Sequence, residues 1–157
     1  MTLLHEERQN SKGAKNMFYS RPYTAAELRR LEIYDKRYRN LARKVFASRV
    51  AFYHPITGGN YTSITVRNQK TRWGSCSSNG TLSFNYRLLF APPKVLDYVV
   101  VHELCHLTHM NHSKDFWNMV ASVMPEYKEY KNWLKDHGRE LTLEEHLRKQ
   151  NIPLTLD

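Results

Sequence analysis

The sequence predicts an α+β domain in which a long N-terminal helix precedes a small antiparallel sheet and a series of C-terminal helices. Three observations support this fold class. Apolar residues recur three or four positions apart between Leu28 and Phe52, the period of an amphipathic helix. Short β-rich segments then flank Asn79-Gly80, a strong hairpin signal. The apolar run Val95–Leu107 follows and favours a buried helix.

The first helix and the sheet have local boundary signals. Residues 24–27 read Thr-Ala-Ala-Glu, a capping box that begins the helix. Pro55 and the glycine pair Gly58-Gly59 end it. Alternating and β-rich segments predict three strands, the last two joined by the turn 77–80. These strands are Ser63–Val66, Trp73–Cys76 and Thr81–Leu89.

The C-terminal half is predicted to hold four helices. Pro92-Pro93 begins the first, because proline is well tolerated in a first turn. Gly138 is a plausible residue to end the third, and a second capping box, at 142–145, begins the fourth. After the helix that starts at Pro92-Pro93, the predicted spans are Ser113–Met124, Pro125 to about His137, and Thr142 to just before Pro153.

The motif His102-Glu103-Leu104-Cys105-His106 lies within the apolar run. Residues four apart share one helix face, so His102 and His106 can offer two imidazole nitrogens to one metal ion. Glu103 lies where a general base can activate a metal-bound water. His112 falls beyond the expected helix end and can return as a third ligand, leaving a fourth position open. The motif therefore predicts a hydrolase with Zn²⁺ as its cofactor, and a peptidase in particular.

The spacing from His102 to His112 equals that of the metzincin pattern, but His109 stands where that pattern has glycine. The turn must therefore be built differently, and Asn111 is a candidate for a left-handed residue there. Cys105 falls among the ligand positions, where we expect a small core residue and not a ligand.

Length and composition limit the remaining possibilities. A chain of 157 residues fits about one domain. No stretch reaches the roughly 18 consecutive apolar residues of a membrane span, so no membrane contact is expected. Residues 1–15 lack the apolar core of a signal peptide. The two cysteines, Cys76 and Cys105, are expected to be reduced, which favours a cytoplasmic location.

The net charge of +9 is concentrated near the N-terminus. Residues 1–50 hold 12 Lys and Arg against 5 Asp and Glu. Such a segment can bind nucleic acid, here through residues 21–50. The alternative is the solvated face of an amphipathic helix, which the regular apolar spacing favours.

Several separated motifs occur in an order that resembles the YgjP-like metallopeptidase family, a zincin-type family related to the SprT and WLM groups. The resemblance covers about residues 63–138. It rests on Arg72-Trp73-Gly74-Ser75-Cys76, Asn85-Tyr86-Arg87-Leu88, Ala91-Pro92-Pro93, the histidine motif, Asn111-His112-Ser113 and Phe116-Trp117.

The resemblance implies a zincin-like catalytic domain with His102, His106 and His112 as metal ligands and Glu103 as general base. We expect a polar N-terminal tail over residues 1–22, the metallopeptidase domain over 23–138, and a C-terminal extension with a short helix over 139–157. Members of the family usually carry a β-rich segment where this chain has a long helix. Two cysteines cannot form the four-cysteine zinc ribbon common in the SprT group, so the DNA-repair role of that group is not implied.

Supporting residues are less well determined by the sequence. A zinc-bound histidine usually donates its second N–H to a carboxylate or carbonyl, and a transition-state stabiliser is also expected. Trp73, Phe116 and Trp117 are expected to be core residues. The candidates to accept the histidine N–H are Asp97, Asp115 and Asn85; the candidates to stabilise the transition state are Arg72, Tyr86 and Tyr98.

The substrate side leaves alternatives open. The strand Thr81–Leu89 can add an extended peptide if it lies at the sheet edge. A zinc hydrolase can also act on a non-peptide substrate such as a nucleoside triphosphate, although no Gly-rich phosphate loop is present. A third alternative is a non-enzymatic module with a closed zinc site, completed by His109 or Cys105, that binds nucleic acid.

Overall fold

The computed structural model of the protein describes residues 21–154, so residues 1–20 of the predicted tail lie outside the described residues. Within residues 21–154, two 3-10 segments, Tyr86–Phe90 and Gly138–Glu140, accompany the strands and α-helices. In chain order the remaining elements are α1 (Ala25–Thr57), β1 (Ser63–Arg67), β2 (Gly74–Cys76), β3 (Thr81–Asn85), α2 (Pro93–Cys105), α3 (Lys114–Val123), α4 (Tyr127–His137) and α5 (Leu143–Lys149).

The capping box predicted for α1 is confirmed. The Thr24 hydroxyl accepts a hydrogen bond from the Glu27 backbone N–H, and the Glu27 carboxylate accepts one from the Thr24 N–H. Arg21 adds two hydrogen bonds to the same carboxylate, at 2.7 and 3.0 Å. At the other end Gly58 takes a positive φ of 70° and donates its N–H to His54. A glycine is suited to this conformation because it has no β-carbon.

The sheet is mixed, and the prediction of an antiparallel sheet was wrong for one of its two strand pairs. The strand order is β1-β3-β2, with β2 antiparallel and β1 parallel to β3. The chain reverses twice, in the loop 68–73 and in the turn 77–80, so β3 runs in the same direction as β1. Since β3 also lies between the other two strands, its pairing with β1 is parallel.

The third strand ends at Asn85, four residues earlier than predicted. The Asn85 side-chain oxygen accepts a hydrogen bond from the Arg87 backbone N–H, which turns the chain into the 3-10 segment. Its amide group donates to the carbonyls of Gln69 and Arg72. A single asparagine thereby ends β3 and holds the loop that precedes β2.

Helix α2 forms the centre of the core and packs on α1, α3, α4 and β2. Most of its residues are buried, including the charged Asp97, which is 7% exposed. The Asp97 carboxylate accepts two hydrogen bonds from Arg49, at 2.7 and 2.8 Å, and one from the Tyr53 hydroxyl at 3.0 Å. Buried charges are tolerated when they are paired in this way. This cluster fixes α2 against α1.

The C-terminal elements begin close to their predicted positions. Ser113 caps α3 and Thr142 caps α5, each accepting from a backbone N–H three residues ahead. Gly138 does not end α4 in a left-handed conformation, because the chain continues there with φ of −56° into the 3-10 segment. A glycine is required for space instead: a β-carbon at this position would lie 2.8 Å from the Trp73 ring.

Helix α5 packs back on α1 and forms a second, smaller apolar cluster. Leu143 and Leu147 are buried there against Leu31 of α1. The Tyr38 hydroxyl lies 3.1 Å from the His146 ring, and both rings pack against Phe90. Within residues 21–154, none of the helices combines the length and apolar character needed to cross a bilayer.

Candidate metal centre

Three imidazoles converge where α2 ends. His102 lies in the last turn of α2, and His106 is the residue that caps this helix. Backbone hydrogen bonds from Leu107 to Leu104 and from His109 to Cys105 then tighten the chain. One ligand atom from each of His102, His106 and His112 lies within 4.8 Å of the others. The structure thus brings together the three histidines predicted to bind metal.

The turn that returns His112 does not use a left-handed residue at position 111. Asn151 is the one non-glycine residue with a positive φ among residues 21–154. Successive hydrogen-bonded turns after Cys105 reverse the chain instead. His109 therefore fits where the metzincin pattern has glycine, because no positive φ is required there.

Hydrogen bonds at the far sides of two rings orient their lone pairs toward the centre. His106 Nδ1 lies 2.9 Å from the His109 backbone carbonyl, and His102 Nδ1 lies 3.1 Å from Glu103 Oε1. A backbone carbonyl only accepts, so His106 Nδ1 carries the proton and its Nε2 keeps the lone pair that binds a metal ion. His102 has the same tautomer when its Nδ1 donates to the Glu103 carboxylate.

The third imidazole completes a geometry that fits a metal ion. His106 Nε2 and His112 Nε2 lie 3.0 Å apart. Tetrahedral zinc with Zn–N bonds of 2.0–2.1 Å holds neighbouring ligands about 3.3 Å apart. Desolvation and then the neighbouring His102 and His106 rings lower the pKa of His112. A lower pKa favours the neutral imidazole at neutral pH, again the metal-binding form.

Aromatic rings support the imidazoles from the side of α3. Phe116 is fully buried and stacks on His106 at a ring-centroid distance of 4.3 Å. Trp117 lies parallel to His112 at 5.7 Å and stacks in turn on Tyr127. Phe116 is thus a core residue as predicted, whereas Trp117 is half-buried and packs against the core. Their packing is against the ligand rings, which fixes the ring orientations.

Glu103 lies beside this cluster as the predicted general base requires. The residue is only 3% exposed, and its Oε1 contacts His102. Its Oε2 is buried and, among the residues that the structure describes, has no hydrogen-bond partner. A buried carboxylate oxygen without a partner is costly. This atom is therefore available to a water molecule or substrate group at the site.

The absence of a side chain at Gly74 makes room for Glu103. A β-carbon at this position would lie 2.9 Å from Glu103 Cγ and 3.1 Å from Val99 Cγ1. Close approach of β2 to α2 therefore requires glycine. This role of Gly74 was not predicted from the sequence, where the residue falls within a predicted strand. A glycine inside a strand is nevertheless a recognised sign that another part of the chain approaches closely.

A cleft of about 360 Å³ opens beside His102 and Glu103. Its walls come from the loop before β2, from α2 and from α4. Arg72 and Tyr98, two of the predicted transition-state candidates, line it. Burial and then the Glu103 charge raise the pKa of Tyr98, so its phenol stays protonated and can donate a hydrogen bond.

Other predicted site residues lie elsewhere, and three assignments are corrected. Tyr86 is 1% exposed and packs in the core beside Phe90 and Arg39, so it cannot stabilise a transition state in the cleft. Asn85 holds backbone groups, as described above. The Asp97 carboxylate accepts its hydrogen bonds from Arg49 and Tyr53 of α1. Their polar groups are used structurally and do not orient the ligand rings.

Two further candidates remain: Asp115 as the acceptor of a histidine N–H, and Cys105 as a ligand. Asp115 lies in the first turn of α3, and within residues 21–154 it makes no hydrogen bond to a site histidine. The His109 carbonyl provides the contact to His106 that was expected from a carboxylate or amide. Cys105 is fully buried, as predicted for a core residue, and burial raises the pKa of its thiol to about 12.

Two imidazoles four residues apart on a helix, a third from the following turn and an adjacent buried glutamate define the HExxH class of metallohydrolases. The chain belongs to the YgjP-like family: the family model for the YgjP-like metallopeptidase domain matches residues 2–137. The resemblance predicted from the motifs is confirmed. It extends further toward the N-terminus than expected and includes the long helix ahead of the sheet.

A solved structure supports the same fold. The chain is similar to the crystal structure of the metallopeptidase zymogen of Pyrococcus abyssi abylysin. The two share 25% sequence identity, with a TM-score of 0.53, over 60% of this chain and 96% of that chain. No curated protein matches the sequence.

Proposed function

We propose that this metallopeptidase depends on zinc and hydrolyses peptide bonds with Glu103 as general base. The observation that carries the proposal is the combination of three imidazoles whose ligand atoms lie within 4.8 Å of one another and one buried carboxylate oxygen that has no partner among the described residues. Three nitrogen ligands with an open fourth position are typical of catalytic zinc. When bound, zinc acts as a Lewis acid that lowers the pKa of water and polarises a carbonyl.

Glu103 carries out both proton transfers of the proposed reaction. Glu103 Oε2 accepts a proton from the attacking water, whose oxygen bonds to the substrate carbonyl carbon. The C–N bond then breaks, and Glu103 returns the proton to the leaving amine. The protonated phenol of Tyr98 is the candidate donor to the developing oxyanion, with Arg72 as the second candidate.

The hypothesis that β3 adds a substrate peptide requires correction. Strand β3 is paired on both sides, by β1 and by β2, so it offers no edge. Among the strands that the structure describes, β2 (Gly74–Cys76) lies at one edge of the sheet, and it also contacts α2 beside Glu103. We therefore assign the extended peptide to β2, which can pair with it as a further strand.

The direct test is cleavage of a library of quenched fluorescent peptides by zinc-loaded protein. Glu103→Gln is the matched variant, because it keeps the size of the side chain but cannot accept the proton. We expect the variant to keep its zinc and to lose roughly 10²–10⁴-fold in turnover, the usual contribution of a positioned general base. Equal turnover by the two proteins would contradict the role of Glu103.

The same variant separates the alternative substrates. Release of phosphate or pyrophosphate from nucleoside triphosphates, lost in Glu103→Gln, would favour the non-peptide hydrolase. The nucleic-acid module has a weaker basis, because Arg21, Arg39 and Arg49 in the basic segment are already in ion pairs. A cytoplasmic location stays a prediction, supported by the free thiols of Cys76 and Cys105.

A further inference from the structure

A second cavity of about 560 Å³ lies next to the cleft beside Glu103. Trp73, Leu134 and Lys135 line both cavities, so the two are neighbours on one face that extends away from His102 and Glu103. We call this the basic groove. Its basic residues are Lys70, Arg72, Arg87, Lys131, Lys135 and Arg139.

Positive charge dominates the walls of the basic groove. Among the described residues that line it, Glu144 is the single carboxylate outside the metal site. In the part of the chain that the structure describes, none of the six cations forms an ion pair. Lys131 contacts the face of the Trp117 ring at 4.3 Å, and Arg87 donates to the Asn68 side chain. Five of the six are exposed; Arg87 is half-buried. Their charges are therefore available to a ligand.

The arrangement suits an extended ligand with separated negative charges. The cations come from the loop before β2, from the 3-10 segment after β3, and from α4 and the residues that follow it. Between them Trp73 and Leu134 provide apolar surface. A polyphosphate is usually held by convergent backbone N–H groups at a Gly-rich loop or helix N-terminus. Cations spread along a partly apolar groove instead match acidic side chains spaced along a peptide.

We propose that the basic groove selects peptide substrates with acidic residues on one side of the bond that is cleaved. This inference rests on the proposed peptidase function. A groove with one sign of charge raises the local concentration and the association rate of oppositely charged ligands by 10-fold or more. Discrimination then appears mainly in kcat/KM and decreases with ionic strength.

The kinetic test uses three peptide sets that differ only in carrying Glu, Gln or Lys at positions flanking one cleavage site. We expect kcat/KM to be roughly tenfold higher for the Glu set than for the Gln set at low salt. The doubly substituted variant Lys135→Glu/Arg139→Glu should lose this preference. Lys44→Glu, with one such charge reversal at an exposed position of α1, should keep it. If the double variant does not fold, Lys135→Gln/Arg139→Gln replaces it.

A binding measurement separates failure of the groove from failure of the peptidase function. Fluorescence anisotropy of a labelled Glu-rich peptide is recorded with the Glu103→Gln protein. Salt-sensitive binding that the double charge reversal abolishes supports the basic groove even if no peptide is cleaved. Cleavage without any charge preference overturns the groove proposal and leaves the peptidase function standing. Tighter binding of ATP or single-stranded DNA than of the acidic peptide overturns it as well.

Discussion

At the scale of residues, the chemistry depends on how Glu103 and the ligand rings are fixed. Glu103 contacts His102 through its Oε1 atom, and the absence of a side chain at Gly74 leaves room for its Cγ atom. The His106 ring is held between the His109 carbonyl and the face of Phe116. Truncation of a fully buried phenylalanine typically costs about 3–5 kcal/mol. The contact between Phe116 and His106 therefore contributes both to the stability of the core and to the orientation of the His106 ring.

Gly74→Ala tests whether the space beside Glu103 is needed. The added β-carbon would lie 2.9 Å from Glu103 Cγ, so the carboxylate must move. A misplacement of about 1 Å at a reacting group can lower the rate by up to roughly 100-fold. We expect kcat to fall while zinc content stays near that of the wild type, because the histidines are untouched. Unchanged turnover would mean that Glu103 does not need its observed position.

The residues that we propose as metal ligands and general base could be picked out from the sequence because their spacing carries the information. His102, Glu103 and His106 are determined by helical periodicity, and His112 by its place before the cap of the next helix. Other contacts could not be predicted, because they use backbone groups or distant parts of the chain. The His109 carbonyl has no side-chain signature, and Lys131 and Lys135 approach the cleft only after α4 packs on α2. In the sequence, the spacing of four residues between Lys131 and Lys135 indicates only that the two share one face of a helix.

At the scale of elements, α2 is the structural centre and α1 is its support. The Arg49–Asp97–Tyr53 cluster joins the two helices five residues before His102. The position of α2 along α1 therefore affects the position of the motif. The extent of α1 was predictable from its capping box and glycine pair, which are local signals. The sheet was harder to predict, since the parallel pairing of β1 depends on which side of β3 it occupies, a non-local property.

The start of α1 gives a prediction about pH. Hydrogen bonds from Arg21 and from the Thr24 backbone lower the pKa of Glu27 from 4.5 to about 2. A lowered pKa in the folded state means that the carboxylate contributes stability above pH 4.5 and loses it as the pH falls toward 2. We expect the melting temperature of the wild type to fall more steeply over this window than that of Glu27→Gln, as recorded by circular dichroism. Parallel curves would show that the capping carboxylate is not coupled to folding.

At the scale of the whole molecule, the site forms where four parts of the chain meet. Helix α2 with its capping residue provides two of the proposed ligands and the proposed base, the following turn provides the third ligand, and the loop before β2 and helix α4 form further walls of the cleft. The fold class and the order of elements were predictable, because each helix has its own boundary signals. The groove was not predictable, since its basic residues are spread over residues 70–139 and share only their charge.

The most direct test of the central claim is the zinc content per chain, measured by elemental mass spectrometry on the wild type and on His112→Ala. The substitution removes one of three ligands and leaves α2 intact, so folding is checked by circular dichroism on the same samples. We predict about one zinc ion per wild-type chain and a marked loss in the variant. Wild-type protein that contains no zinc, and takes up none when zinc is added, would contradict the account.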